Sequence, residues 1–376
     1  MKPELYTREN ISTLVWPSTP DGDYARRYLT PFIMNGPQKY IKNVHNTKMM
    51  AVKVGDVLLP ITVTDFHIDN SYSCSPYSHY VSYGGFDEVK RLQNPPVEAL
   101  IKLILYPVAW YFRQAELDRV VFVNNWLIST NLYPPIEADQ LKVLSEALPK
   151  WFPDRAIIFR SVDQFRNSHL HQTLERLGYE MMLSRQVWYL NPEYGLSLKV
   201  HREDMRAVRK NRHIQNDELS DDEVGRGLQL YNMLYLEKYS YFNPQFTEDF
   251  IRLARDEKLL EIKTIRLDGK LNALMGYLTR NGVMTPPLYG YDTSLPQETA
   301  LYRHLTVMTM REAMEKKLLL HDSAGVGRFK KKRGARRVIE YNAVFTKHLP
   351  RNRQLPWKII RKISEMAIPV FEKNNF

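Results

Sequence analysis

Two dipeptides organise the second half of the chain. Asp268-Gly269 and Asn281-Gly282 separate three strand-like runs, LLEIKTIRL (259–267), LNALMGYLT (271–279) and VMTPPLYGYD (283–292). Both dipeptides place residues that tolerate positive φ at the centre of a two-residue hairpin turn. The stretch therefore predicts a three-stranded antiparallel meander. Before it, EVGRGLQLYNMLYLEKY sets Val224, Leu228, Tyr231 and Tyr235 at helical spacing. After it, Ser294 and Gln297 have the spacing of a capping box, which predicts a helix from about Pro296 to Lys317. Leu301, Leu305 and Met308 form one flank of its apolar face, with Val307, Met310 and Met314 beside them. KLLLHDSA then reads as a buried strand, and RVIEYNAVF as another beyond the basic segment GRFKKKRGARR.

The first half follows similar grammar without a residue-level repeat. KMMAVKV and VLLPITVTDF flank a Gly55-Asp56 turn, and SCSPYSHYVSY reads as a third strand. A helix over 95–116, the strand RVVFVNNWLI, a helix near 136–149, the strand RAIIFRSV, a helix near 166–177 and the strand RQVWYLN complete it. Two tandem α/β units joined near NPEYGLSLKV (191–200) are the economical expectation. Tyr77, Tyr80 and Tyr83 either line a cleft or belong to a core, since aromatic residues suit strands. Asn124 and Asn125, polar within a strand-like run, need partners. Asn125 is a candidate substrate ligand or part of a turn.

The formal net charge of +11 favours polyanionic partners. The excess gathers in HREDMRAVRKNRHI (201–214), GRFKKKRGARR (327–337) and the stretch from Arg351 to Lys362. The longest apolar run, Ala99 to Phe112, contains Lys102 and is too short to span a bilayer. No signal-peptide pattern opens the sequence. The one cysteine, Cys74, excludes an internal disulfide. A cytoplasmic location is expected, with no metal and no cofactor.

The order helix, three meander strands, helix, strand, basic segment, strand matches the GNAT acyltransferase fold. With VRKNRHIQND (208–217) and the F-K-x-x-x-G core of GRFKKKRGARRVIEY, the chain resembles the Fem-type, FemABX-like branch of that superfamily. These are double-GNAT aminoacyl-tRNA-dependent transferases and their relatives. The resemblance implies an α/β chain of two tandem GNAT-like domains, 1–192 and 193–376, each a mixed, largely antiparallel sheet flanked by helices. It implies an enzyme, an acyl or aminoacyltransferase. It puts Phe329 and Lys330 at the family's FK position, beside the aminoacyl ester. Arg209, Lys210 and Arg212 match its segment for a phosphorylated acceptor. Two departures stand out: no long helical-hairpin arm interrupts the second half, and the first half offers no matched acceptor-phosphate cation.

Acyl transfer to an amine needs a deprotonated nucleophile, an oxyanion stabiliser and good positioning, with no obligatory covalent enzyme intermediate. No G-x-S-x-G elbow occurs, and a Cys74–His79 nucleophile has little to support it. Lys330, Tyr289 and Asp322 are the catalytic candidates. Asp322 either handles a proton or caps the following turn, and Tyr289 and Tyr291 either bind substrate or pack. Lys331, Lys332, Arg333, Arg336 and Arg337 are candidates for tRNA phosphates, or a solvated face. YDTSLPQETALYRHL (291–305) lacks the glycines of a pyrophosphate loop, which argues against coenzyme A. The expected donor is aminoacyl-tRNA or an acyl carrier, and the acceptor a small or phosphorylated amine. The alternatives are a coenzyme A- or carrier-dependent N-acyltransferase and a non-catalytic RNA-binding module. The basic C-terminal helix either touches an anionic membrane or docks on its own domain through Trp357, Ile360, Ile363 and Ala367.

Overall fold

The computed structural model describes residues 2–87, 94–211, 214–216 and 218–373. Arg212, a candidate acceptor ligand, lies outside the described residues. The helices and strands, numbered in chain order, are β1 (Glu4–Tyr6), α1 (Pro20–Asn35), β2 (Thr47–Val54), β3 (Val57–Thr64), α2 (Pro95–Gln114), β4 (Val120–Val123), α3 (Ala138–Trp151), β5 (Ala156–Asp163), α4 (Ser168–Arg176), β6 (Glu180–Leu190), α5 (Pro192–Ser197), α6 (Lys199–Lys210), β7 (Ile214–Asn216), α7 (Val224–Asn232), α8 (Glu248–Asp256), β8 (Glu261–Leu267), β9 (Lys270–Arg280), β10 (Val283–Tyr291), α9 (Leu301–Glu315), β11 (Leu319–His321), α10 (Gly327–Lys332), β12 (Arg336–Phe345) and α11 (Arg351–Lys373).

Two compact units account for the chain. The first is Met1–Ser184 with Ser240–Gln245 and Glu340–Val370; the second comprises Arg185–Tyr239 and Phe246–Ile339. A single cut near 192 would leave Glu340–Val370 outside the unit it completes.

In the first unit, β1, β2, β3 and β4 pair antiparallel in order, and β4 pairs parallel with β5. Glu340–Phe345 of β12 then pairs antiparallel with β5. Successive residues of β4 and β5 serve two cores, as the two-residue period requires. Val121, Val123, Ile157 and Phe159 pack with Leu141, Leu144 and Leu174 of α3 and α4. Val120, Phe122, Ala156 and Ile158 pack with Ala109 and Phe112 of α2 and Trp357 and Ile360 of α11. The terminal helix thus docks on its own unit, although Ile363 is 51% exposed.

The predicted strand SCSPYSHYVSY does not form; a wide helical segment, Ser78–Asp87, takes its place. Asp118 is the reason. Its buried carboxyl accepts from Ser75 Oγ (2.6 Å) and from the Tyr77 amide (2.7 Å), while Ser75 Oγ accepts from the Ser78 amide (2.8 Å). Polar side chains that satisfy the backbone in this way divert it from a ladder. RVVFVNNWLI likewise stops being a strand at Val123, because Asn124 turns left-handed at φ 54°.

The second unit contains the predicted meander. β8, β9 and β10 pair antiparallel. Both central residues of each hairpin have positive φ: Asp268 51° and Gly269 75°, Asn281 48° and Gly282 73°. β7 extends the sheet beyond β8, and β11 with β6 extends it beyond β10. A Cβ on Gly290 would sit 2.6 Å from the Leu230 and Tyr231 backbone, so glycine allows α7 to lie directly over β10.

One expectation changes here. The Ser294–Gln297 capping box is absent: Ser294 Oγ donates instead to Asp292 (2.5 Å), and α9 begins only at Leu301. The basic segment between β11 and β12 folds its GRFKKK into α10.

Candidate active site

The site is built where two neighbouring strands part. β10 and β11 run parallel but share only two rungs, Val283 with Leu319 and Met284 with Leu320. β10 then continues to Tyr291 while β11 ends at His321. Pro286 and Pro287, lacking amide donors, interrupt the β9–β10 register between Thr285 and Leu288. α9 follows β10, and its Thr306, Thr309 and Met310 face the opening.

Lys330 lies at the base of this opening, 5% exposed. Gly325 (φ 79°) and Val326 (φ 46°) turn the chain left-handed just before α10. The lysine ammonium closes that turn, donating to the Asp322 carbonyl and, at 3.0 Å, to the Ala324 carbonyl. Its Nζ is 3.8 Å from the Asp322 carboxylate. Burial lowers the Lys330 pKa, opposed by Asp322 and reinforced by Arg185. Burial raises that of Asp322, opposed by Lys330 and Arg333. The Asp322 side chain keeps 27% of its surface, so water moderates both shifts. Asp322 caps the turn by its main chain and faces Lys330 by its carboxyl.

A cavity of about 10 Å³, room for roughly one water molecule, is bounded by Leu190, Tyr289, Thr309, Asp322, Phe329 and Lys330, among others. A larger cleft of about 590 Å³ opens alongside, bounded by residues including Lys238, Tyr291, Asp292, Ala300, Tyr302 and Phe329. Phe329 borders both, its ring centroid 4.9 Å from that of Tyr302. Burial holds the Tyr289 and Tyr302 phenols well above their ordinary pKa, so both remain protonated hydroxyls. In the cleft wall, burial pushes the Asp292 pKa up, but Ser294 and Arg226 (2.5 Å) outweigh it and the net shift is downward.

The structure therefore brings Lys330, Asp322, Tyr289 and Phe329 together, with Tyr291 across the larger cleft. Arg333 has a different place from the phosphate-facing one expected. It is 6% exposed and forms a two-pronged ion pair with buried Asp204 at 2.7 and 2.8 Å. Its guanidinium carbon stacks 3.2 Å from the centroid of Phe329, and its Nη1 donates to the Phe329 carbonyl. Arg333 is thus the prop behind Phe329. Lys331, Lys332 and Arg336 are exposed and Arg337 half-buried. Arg209 and Lys210 are exposed at the last turn of α6, which Asn211 ties to the Glu298 carbonyl (2.9 Å) before α9.

The candidates of the first unit have structural occupations. Tyr77 is buried edge-on against Phe66. The Tyr80 hydroxyl accepts from Asn342, and burial raises its pKa. The Asn125 carboxamide donates to Thr62 and Ser73 and accepts from Arg160 and the Leu127 amide, so no valence is left for a substrate. Cys74 is fully buried, with its thiol pushed up to about 12 by burial, which makes it a poor nucleophile.

Sequence reasoning missed Tyr302, Thr309 and Asp204. Asp204 alone carried a signal, as an acid within the cationic run 201–214.

No protein-family model matches the chain, and no curated protein matches it in sequence. Solved structures do match in fold. The crystal structure of FemX aligns with 96% of this chain and 100% of its own, at 9% identity and a TM-score of 0.54. A conserved protein of unknown function from Bacteroides thetaiotaomicron VPI-5482 aligns with 90% of this chain and 98% of its own, at 10% identity and a TM-score of 0.50. The chain shares the fold of FemX.

Proposed function

We propose that this protein is an acyltransferase of the Fem/GNAT type, moving an aminoacyl or acyl group from an activated ester to an amine. The carrying observation is the pairing of buried Lys330 with half-buried Asp322 at the parting of β10 and β11, next to an open cleft. The acceptor amine attacks the donor carbonyl directly, and a tetrahedral oxyanion develops. Lys330, positively charged in a water-poor pocket, stabilises that charge. The Asp322 carboxylate takes the proton released by the attacking nitrogen. The leaving alcohol recovers a proton, and the amide is formed without an enzyme-bound acyl group. Aminoacyl-tRNA is the donor this reading favours, with exposed Lys331 and Lys332 available to its phosphates.

A thioester donor, coenzyme A or an acyl carrier, is favoured by a different observation. Ala300 adopts a left-handed conformation, φ 55°, immediately before α9 and beside the cleft. The chain therefore makes the turn that glycine usually makes, without a glycine.

The test offers labelled aminoacyl-tRNAs, acyl-coenzyme A and acyl-carrier thioesters in parallel, with pooled amine acceptors. Deacylation of one donor class with amide formation is expected, and Lys330→Met should reduce it by about two to three orders of magnitude. Full turnover by that variant would sink the assignment of Lys330. Salt-sensitive tRNA binding, indifferent to charging and without turnover, would instead identify an RNA-binding module.

A further inference from the structure

Helix α2 presents its apolar side outward. It buries Ala109 and Phe112 in the core it shares with Trp357 and Ile360. Its exposed positions from Val97 to Trp110 are all apolar or aromatic. Leu100 is 62% exposed, Leu103 72%, Ile104 64%, Tyr106 62% and Trp110 65%. The charged residues of that stretch, Glu98 and Lys102, pair with each other at 2.5 Å and are largely covered. A surface helix ordinarily shows the opposite arrangement. Contiguous exposed apolar faces of this kind mark interaction surfaces.

What this face meets is indicated by α11. The Tyr111 hydroxyl donates to the Asn352 carbonyl at 3.5 Å, which sets the start of α11 beside the end of α2. The outward stripe of α11, spaced by three or four residues, is Arg351, Leu355, Lys358, Lys362 and Met366, all exposed. Exposed Arg113 stands at the end of α2. The neighbouring helices thus pair an apolar and aromatic face with a row of cations. Tyr and Trp favour the boundary between headgroups and acyl chains. Apolar insertion combined with basic residues is the two-part signal for reversible binding to an anionic bilayer. A twofold contact with a second copy would set the same cations near each other, in a chain of net charge +11.

The geometry points to α2 as an in-plane membrane-docking helix, with the cations of α11 engaging anionic headgroups. Among the described residues, no helix is long and apolar enough to cross a membrane. This inference is independent of the acyl-transfer reading.

Flotation of the full chain with phosphatidylcholine vesicles, and with phosphatidylcholine–phosphatidylglycerol vesicles, tests it. Binding to the anionic vesicles is expected, weakening as salt rises. Leu103→Glu with Ile104→Glu should weaken that binding by about tenfold or more, and Lys358→Glu with Lys362→Glu by several-fold. All four side chains are exposed, so melting temperatures should match the wild type and failure to fold does not confuse the result. The proposal is overturned if the wild-type chain does not float with anionic vesicles, or if the Leu103/Ile104 variant floats as the wild type does. It is equally overturned if sedimentation without lipid reveals a dimer that this variant splits, because the face would then be a self-interface. Equal binding to both vesicle types would overturn the headgroup role of α11.

Discussion

Lys330 carries more of the proposed chemistry than any other residue, and its surroundings make its titration informative. Burial lowers the pKa of its ammonium, against the pull of Asp322, and raises that of Asp322, against the pull of Lys330. If transfer needs the ammonium and the carboxylate together, kcat/KM should follow a bell whose two limbs lie closer together than ordinary Asp and Lys values would set them. Activity falls on the acid side as Asp322 takes a proton, and on the alkaline side as Lys330 loses one. Asp322→Asn should remove the acid limb; a variant that keeps the wild-type limb would show that another group takes the proton. At this scale the sequence was partly legible. The F-K-x-x-x-G core singled out Lys330 and Phe329 as candidates by resemblance, but nothing local distinguished Arg333 from Lys331 or Lys332. Its partner, Asp204, stands on another helix, and one buried carboxylate decides which cation of a basic run turns inward.

Among the elements, α10 depends most on a single contact. The side chains of Arg333 and Asp204 are both nearly inaccessible, 7% and 3% exposed, and the pair holds Phe329 against the cleft. Arg333→Met would leave the buried Asp204 carboxylate with only the long 3.7 Å contact to half-exposed Arg303, a loss of up to about 3–5 kcal/mol. Denaturant midpoints should show that loss, and Asp204→Leu added to Arg333→Met should recover part of it. An Arg333→Met midpoint equal to wild type would mean that the pair is incidental to α10. The meander was fully readable, because its two hairpin turns are encoded by adjacent residues. The helical segment after Cys74 was not. The bond that diverts it joins Ser75 to Asp118, 43 positions apart, and no local pattern reports so distant a partner. The start of α9 was misplaced for a local reason instead: Asp292, two residues before Ser294, takes the hydroxyl that a cap would have used.

For the whole molecule, two buried groups give the units opposite responses to acid. Burial, with Arg185 adding to it, holds His321 at about 3, against 6.5 when unfolded. Its contribution is complete above pH 6.5 and is lost as the pH falls through about 3, on the order of 5 kcal/mol in all. Asp118 is displaced in the other direction, raised by burial to about 7 from 3.8. It favours the fold fully below pH 3.8, and that contribution disappears as the pH rises through about 7. Between about pH 6.5 and 4, acid should therefore weaken the second unit and strengthen the first. Hydrogen exchange resolved by segment, corrected for intrinsic rates, would measure both trends. His321→Asn should flatten the first and Asp118→Asn the second; unchanged slopes in these variants would place the sensitivity elsewhere.

The first unit also imposes an order on its own making. Its sheet adds Glu340–Phe345 beside β5, and its core uses Trp357 and Ile360. On the ribosome, those pieces emerge only after every strand of the second unit has been made. The nascent first unit must wait with one flank of β5 unclosed, so the second unit, from α7 through β11, is the part able to settle first. A fragment ending near 192 would remain in that waiting state, which makes dissection of this chain at a linear boundary a recipe for aggregation.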